Sequence, residues 1–196
     1  MSPDQTGGVK VGHAALALDL PQLALSVIKK VLDALFVQEQ RLVCCPSIYA
    51  RALILAAKGH LRLGELRLAE GATAVVLGMA RHLSLDDCLE AMSVCRDIHA
   101  AQGDGRRLVA SLQTILNIVR DERTDPWEVA RARTELLLAK IAHEGVDAAI
   151  AAQLGEAVRG LRRRPSDGLA ERARVELAGL CRPAKRVRGK THAEDL

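Results

Sequence analysis

Signals that stop a helix recur along this 196-residue chain at nearly constant intervals, and that spacing restricts the fold more than any other feature. The stretch "HLRLGELRLAEGA", residues 60–72, joins two leucine-rich, arginine-dotted segments through Gly64-Glu65, and similar breaks stand at Gly103-Asp104 and Gly145-Val146. Gly64 and Gly103 are 39 positions apart, Gly103 and Gly145 are 42 apart, and the turn signal "DLPQ" lies about 44 before Gly64. Between the breaks the apolar residues keep helical spacing. After Pro21, which suits a first helical turn, Ala24, Val27, Ile28, Val31, Leu32 and Leu35 form one face, with Lys29, Lys30 and Asp33 opposite. Each interval therefore holds two helices of about 15 to 19 residues joined by a tight turn. A period near 40 indicates helix pairs, each stacking on its neighbours.

The same reading predicts helices from Pro46-Ser47 to Leu63, Leu66 to Leu83 and Leu85 to Gln102. It predicts another after Gly105 with Leu108, Leu112, Ile115, Leu116 and Val119 on one face. Three more follow: Pro126 to His143 or Glu144, one carrying Ile150, Leu154, Ala157, Val158 and Leu161, and Leu169 to Leu180. Ser84 with Asp87 resembles a capping box, and "TDPWE" offers Asp125 as cap, Pro126 at the first helical position and Glu128 three residues after the cap. Hydrophobic residues make up 49% of the chain, yet Phe36, Tyr49 and Trp127 are its only aromatics. The apolar content is mostly Ala, Leu and Val, which favours closely packed helices over sheets. An all-α chain follows, with residues 1–10, polar and glycine-bearing, expected to be disordered. A single repeat domain is expected over 11–181, and a flexible basic tail over 182–196.

The segment "ALILAAKGHLRLGELRLAEGATAVVLGMA" resembles a tetratricopeptide repeat (TPR): a helix, a Leu-Gly turn, and a second helix. The family places small residues where the two helices cross, and Ala57 and Ala69 stand seven before and five after Gly64. In other intervals Arg96 and Leu138 occupy the position of the small residue, and the period exceeds the family's usual one. The resemblance implies a TPR-like α-solenoid of about four antiparallel helix pairs in a right-handed superhelix. It also implies a noncatalytic adaptor or scaffold, binding a peptide or protein surface on a concave face lined by the first helix of each pair. Repeats of longer period are similar to those in adaptor subunits of large assemblies and in sensor domains of regulators. On that face the candidate contact residues are Arg51, Lys58, Arg62, Arg96, His99, Arg131, Glu135 and Lys140. Their mostly basic character suggests an acidic peptide or acidic surface as partner, while the high apolar fraction of the chain suggests another helical-repeat subunit.

The formal charge is +4, and the tail contributes +3 of it through Arg182, Lys185, Arg186, Arg188 and Lys190 against Glu194 and Asp195. A nearly neutral body does not read as a dedicated nucleic-acid surface. Within "RPAKRVRGK", Lys185, Arg186, Arg188 and Lys190 resemble a short nuclear-import signal; a solvated tail, or contact with nucleic acid or an acidic partner, are the other readings. Arg162-Arg163-Arg164 ends a helix, where cations suit the macrodipole. The start has no apolar signal core, and the run "ATAVVLGMA" falls short of the roughly 18 residues a membrane span needs. A soluble intracellular protein, nuclear or cytoplasmic, is the expectation.

Five cysteines (Cys44, Cys45, Cys88, Cys95, Cys181) show no framework spacing and read as reduced thiols. Cys88 and Cys95 are about 10 Å apart along a helix, too far to share an ion. Cys95 and His99 lack two further ligands, so no metal site is expected. His60 and His99 suit either the groove or the carbonyls at their helix ends. No glycine-rich phosphate loop, Gly-x-Ser-x-Gly elbow or His-Glu-x-x-His is present, which argues against an enzyme or a cofactor.

Overall fold

The computed structural model describes residues 3–37, 46–122, 125–161 and 168–180. The Cys44-Cys45 pair, the arginines 162–164, Cys181 and the tail with Lys185, Arg186, Arg188 and Lys190 lie outside the described residues. Every regular element among the described residues is helical. In chain order they are α1 (Pro3–Ala17), α2 (Pro21–Val37), α3 (Pro46–Arg62), α4 (Leu66–Gly78), α5 (Leu85–Gln102), α6 (Gly105–Glu122), α7 (Pro126–Glu144), α8 (Ala148–Leu161) and α9 (Gly168–Leu180). Helix α4 ends at Gly78, earlier than the predicted Leu83, and a short 3-10 turn, Ala80–His82, leads into Ser84. Glycine at that position is a poor helix former. No helix among the described residues is long and apolar enough to cross a membrane.

The chain divides into two compact units, Met1–Thr124 and Asp125–Leu196, where the sequence suggests one array over 11–181. The hydrophobic clusters each stay within one unit.

In the first unit, neighbouring helices pack as α1 on α2, α2 on α3, α3 on α4, α4 on α5 and α5 on α6. In addition α1 touches α3, and α3 touches α5. The first helices of successive pairs therefore form their own row. Helix α3 lies in the middle and is buried on two faces: Ala52, Leu55 and Ala56 belong to the cluster with Leu16, Ala24 and Ile28, while Ala50, Ile54 and Ala57 belong to that with Ala69, Val94 and Ile98. A helix covered on both sides needs small side chains, which accounts for its alanines.

The helix begins at Pro3, so residues 3–10, expected to be disordered, are largely helical. Their glycines are packing positions. A Cβ at Gly12 would lie 2.6 Å from Ile28 Cδ1, and one at Gly8 would overlap Val31. Two glycines four apart on one face let α1 approach α2 closely, a contact that composition alone reads as absence of structure.

Three turns in this unit share one geometry. Gly64 (φ 75°) donates its N–H to Leu61 O while Glu65 donates to His60 O; Gly103 (φ 69°) donates to Ala100 O while Asp104 donates to His99 O. This is the double-bonded helix stop that favours a left-handed residue. The α1–α2 turn is the same, with Asp19 (φ 57°) donating to Leu16 O and Leu20 to Ala15 O. Counting from Asp19, Gly12 stands seven before and Ala24 five after, the offsets of Ala57 and Ala69 from Gly64. All four are buried.

In the second unit α7 packs on α8, α8 on α9, and α7 also touches α9. Asp125 caps α7 by accepting from the Trp127 N–H at 2.9 Å, as the sequence predicts. Gly160 lets α8 approach α7: a Cβ there would sit 2.7 Å from Ala130 Cβ. The turn at Gly145 is of another kind, with φ 91° and ψ −176°, a region open essentially to glycine alone. Its glycine spacing continues the 40-residue rhythm, but its geometry does not repeat the earlier turns.

Candidate binding groove

Helices α1, α3 and α5 enclose a groove of about 300 Å³. Its floor is Leu16, Ala17, Leu55 and Leu61, and its rim is His13, Lys58, Arg62 and Asp97. The row of first helices creates it, and the apolar floor continues the cluster that holds α1 against α3. Two of the predicted contact residues, Lys58 and Arg62, line it directly.

The basic stripe on α3 is bound along its length. Arg51 Nε donates to Asp87 Oδ1 at 2.8 Å, and Lys58 Nζ donates to Glu90 Oε1, both on α5. Arg62 reaches the other way, donating to the Leu16 carbonyl and, at 3.2 Å, to Asp19 Oδ1 at the end of α1. Asp87, Glu90 and Asp97 on α5 are three and seven residues apart, so they share one helical face. That acidic face meets the basic stripe of α3, and the side chains predicted to await a partner also stitch the first helices together.

Asp87 is the buried centre of this stitching, 2% exposed. It accepts from Arg51, from the Ser84 hydroxyl at 2.8 Å and from the Ser47 hydroxyl at 3.3 Å, while its own N–H donates to Ser84 Oγ at 3.2 Å. A glutamate in the usual capping box would turn back toward the cap residue's backbone. The shorter aspartate serves α3 as well. Burial alone raises its pKa, but the hydrogen bonds from Arg51, Ser84 and Ser47 and the guanidinium charge outweigh it and hold the carboxyl below its ordinary range. The bond to Asp87 and its charge likewise raise the Arg51 guanidinium.

The other predicted residues are spread over both units. Arg96 bonds the adjacent Asp97 at 2.8 Å. His99 Nδ1 lies 3.0 Å from Ser111 Oγ on α6, and His60 Nδ1 lies 2.6 Å from Glu65 Oε2. Both histidines thus meet side chains across their turns, where the sequence suggests backbone carbonyls or a groove. Ser111 itself is buried within α6. In the second unit Arg131 lies 3.4 Å from Glu135 and sits over the Trp127 ring, 5.6 Å from its centre. Lys140 is half-buried on the same helix. A second hollow of about 600 Å³ lies there between α7 and α9, lined by Leu138, Ile141, Ala142, Val175 and the charged Glu171, Arg172 and Glu176. It too falls between two helices, α7 and α9, that flank a third in the chain and touch each other.

Among the described residues no group of three His, Cys, Asp or Glu side chains is arranged to hold a metal ion. Burial, with the neighbouring Asp87 charge, raises the Cys88 thiol; burial also raises Cys95, with Glu70 adding to the shift and a bond to Thr73 opposing it. Both stay protonated at neutral pH, unlike activated nucleophiles.

The sequence signal that reached the groove was the position of basic residues on the first helices. Missed were α1, hidden by its glycines, and the acidic face of α5, which cancels the basic one. No protein-family model, curated protein or solved structure matches this chain.

Proposed function

We propose that the chain is a noncatalytic protein-binding scaffold, a TPR-like array that holds a segment of a partner protein along the first helices of its pairs, as a subunit of a larger assembly. The observation that carries the reading is the row α1, α3, α5: stacking the first helices leaves an apolar-floored groove on their shared side. The hollow between α7 and α9 supports it, since the same placement recurs inside the second unit. Clefts with apolar floors and a few placed polar groups are where proteins take ligands. The two turn-flanking pairs of small residues, Gly12 with Ala24 and Ala57 with Ala69, extend the family resemblance from one helix pair to two.

The test is photo-crosslinking in a nuclease-treated extract, with a benzophenone amino acid placed at Ala17, at Ala142, or at the exposed Ala110 of α6 as a control. Discrete protein adducts from positions 17 or 142, and none from 110, are expected. Adducts of equal yield from all three positions, or none, would sink the proposal.

A further inference from the structure

We infer that the groove between α1, α3 and α5 selects an uncharged segment with one or two aliphatic anchor side chains, in place of the acidic peptide that the basic residues of α3 suggest. The inference rests on the scaffold reading and deepens it.

The rim of the groove carries charges of both signs. Lys58 and Arg62 are its two strong cations and Asp97 is its carboxylate. Each has a partner from a neighbouring position: Glu90 for Lys58, Asp19 for Arg62, and Arg96 for Asp97. Three cations stand among three carboxylates, so the six charges sum to zero. An acidic ligand side chain would have to take Lys58 or Arg62 from a carboxylate already in place. It would meet Glu90, Asp19 and Asp97 as like charges while doing so, and little net attraction remains. A basic ligand faces the mirror-image competition.

Below the rim the chemistry is one-sided: Leu16, Ala17, Leu55 and Leu61 offer carbon and no polar side-chain atom. Leu16 and Leu55 are 5% and 4% exposed, so the floor is made by the packing of α1 against α3. A cavity of ~150 Å³ holds a benzene-sized group, so a volume of about 300 Å³ matches roughly two aliphatic side chains. Neutral rim and carbon floor together specify a segment anchored by Leu, Ile, Met or Val.

The experiment pans a phage-displayed library of random 12-residue peptides against the full chain and, in parallel, against Ala17→Arg. Ala17 is exposed at the last position of α1, so the arginine crowds the groove and suits the helix end, and its thermal midpoint serves as the folding control. Peptides that bind the full chain and are lost on Ala17→Arg are expected to be rich in aliphatic residues, with no excess of Asp or Glu. Their affinities should change less than about threefold between low and high salt, because no charge pair forms on binding. Acidic peptides whose affinity falls tenfold or more over that range would overturn the inference and leave the scaffold reading standing. Recovery of no peptide sensitive to Ala17→Arg would also overturn it, and the crosslinks from position 17 then decide the scaffold reading separately.

Discussion

Replacing Asp87 by Asn removes one charge and almost no volume, and it tests whether the first unit is held by the carboxylate described above. The side chain is 2% exposed and accepts from Arg51, Ser84 and Ser47. A hydrogen bond to a charged group is worth about 1.5 to 3 kcal/mol. The Arg51 side chain is 55% exposed and recovers water when its partner is lost, so that bond is discounted to about 1 kcal/mol. The two hydroxyl bonds add roughly 1 to 2 kcal/mol together, because an amide still accepts at one atom. The sum is about 2 to 3 kcal/mol. For a unit of 124 residues at ~2.1 cal/mol/K per residue, that is a fall of roughly 10 °C in its thermal midpoint. The assay is urea unfolding of the full chain by circular dichroism at several pH values, with Trp127 fluorescence read alongside to report the second unit. Asp87 has a depressed pKa when folded, so its contribution is complete above the unfolded carboxyl value of about 3.9 and is lost as the pH falls toward the folded value. Wild type and Asp87→Asn should therefore differ most near pH 7 and converge below about pH 4. A difference under ~0.5 kcal/mol, or one unchanged at acid pH, would refute the reasoning.

Further expectations concern packing and thiols. Gly12→Val should destabilise by about 1 to 3 kcal/mol through collision with Ile28, whereas Gly7→Ala, with open space around it, should stabilise by up to ~1 kcal/mol; urea midpoints separate the two. Gly160→Ala should lose about 1 to 3 kcal/mol by parting α8 from Ala130, and Gly155→Ala, which meets no neighbour, should be neutral or stabilising by the same measurement. Cys88 and Cys95 should react with iodoacetamide at pH 7.5 more slowly than a free thiol, their rates rising above pH 9; site-resolved mass spectrometry reads this, and equal rates would contradict the raised values.

Helix positions were legible wherever a cap or a glycine marked an end, as at Pro126 and Gly103. The first helix was not, because glycine serves both disorder and close packing, and Gly8 and Gly12 reveal which only against Val31 and Ile28. The first turn was visible as "DLPQ", but its kinship with the turns at Gly64 and Gly103 was hidden because Asp19 fills the left-handed position that glycine fills elsewhere. The division after residue 124 was invisible for another reason: the glycine rhythm runs past it to Gly145, and only backbone angles show that the turn there is of another kind. For the groove, the basic residues of α3 could be placed on one helix from spacing. Their neutralisation depends on the register between α3 and α5, which period alone does not specify.

The glycines of α1 have a consequence for the groove itself. Gly7, Gly8 and Gly12 raise the entropy of the unfolded segment, so α1 forms at greater cost than a helix of ordinary composition and keeps its shape through contact with α2 and α3. It is thus the helix of this row with the least intrinsic tendency to stay formed. His13, Leu16 and Ala17 are the part of the groove's lining that α1 supplies. Fraying of α1 would open the groove from its side and bare Leu55, and a segment seated there would shut it again. Slowed amide exchange in α1 is then the signature of an occupied groove.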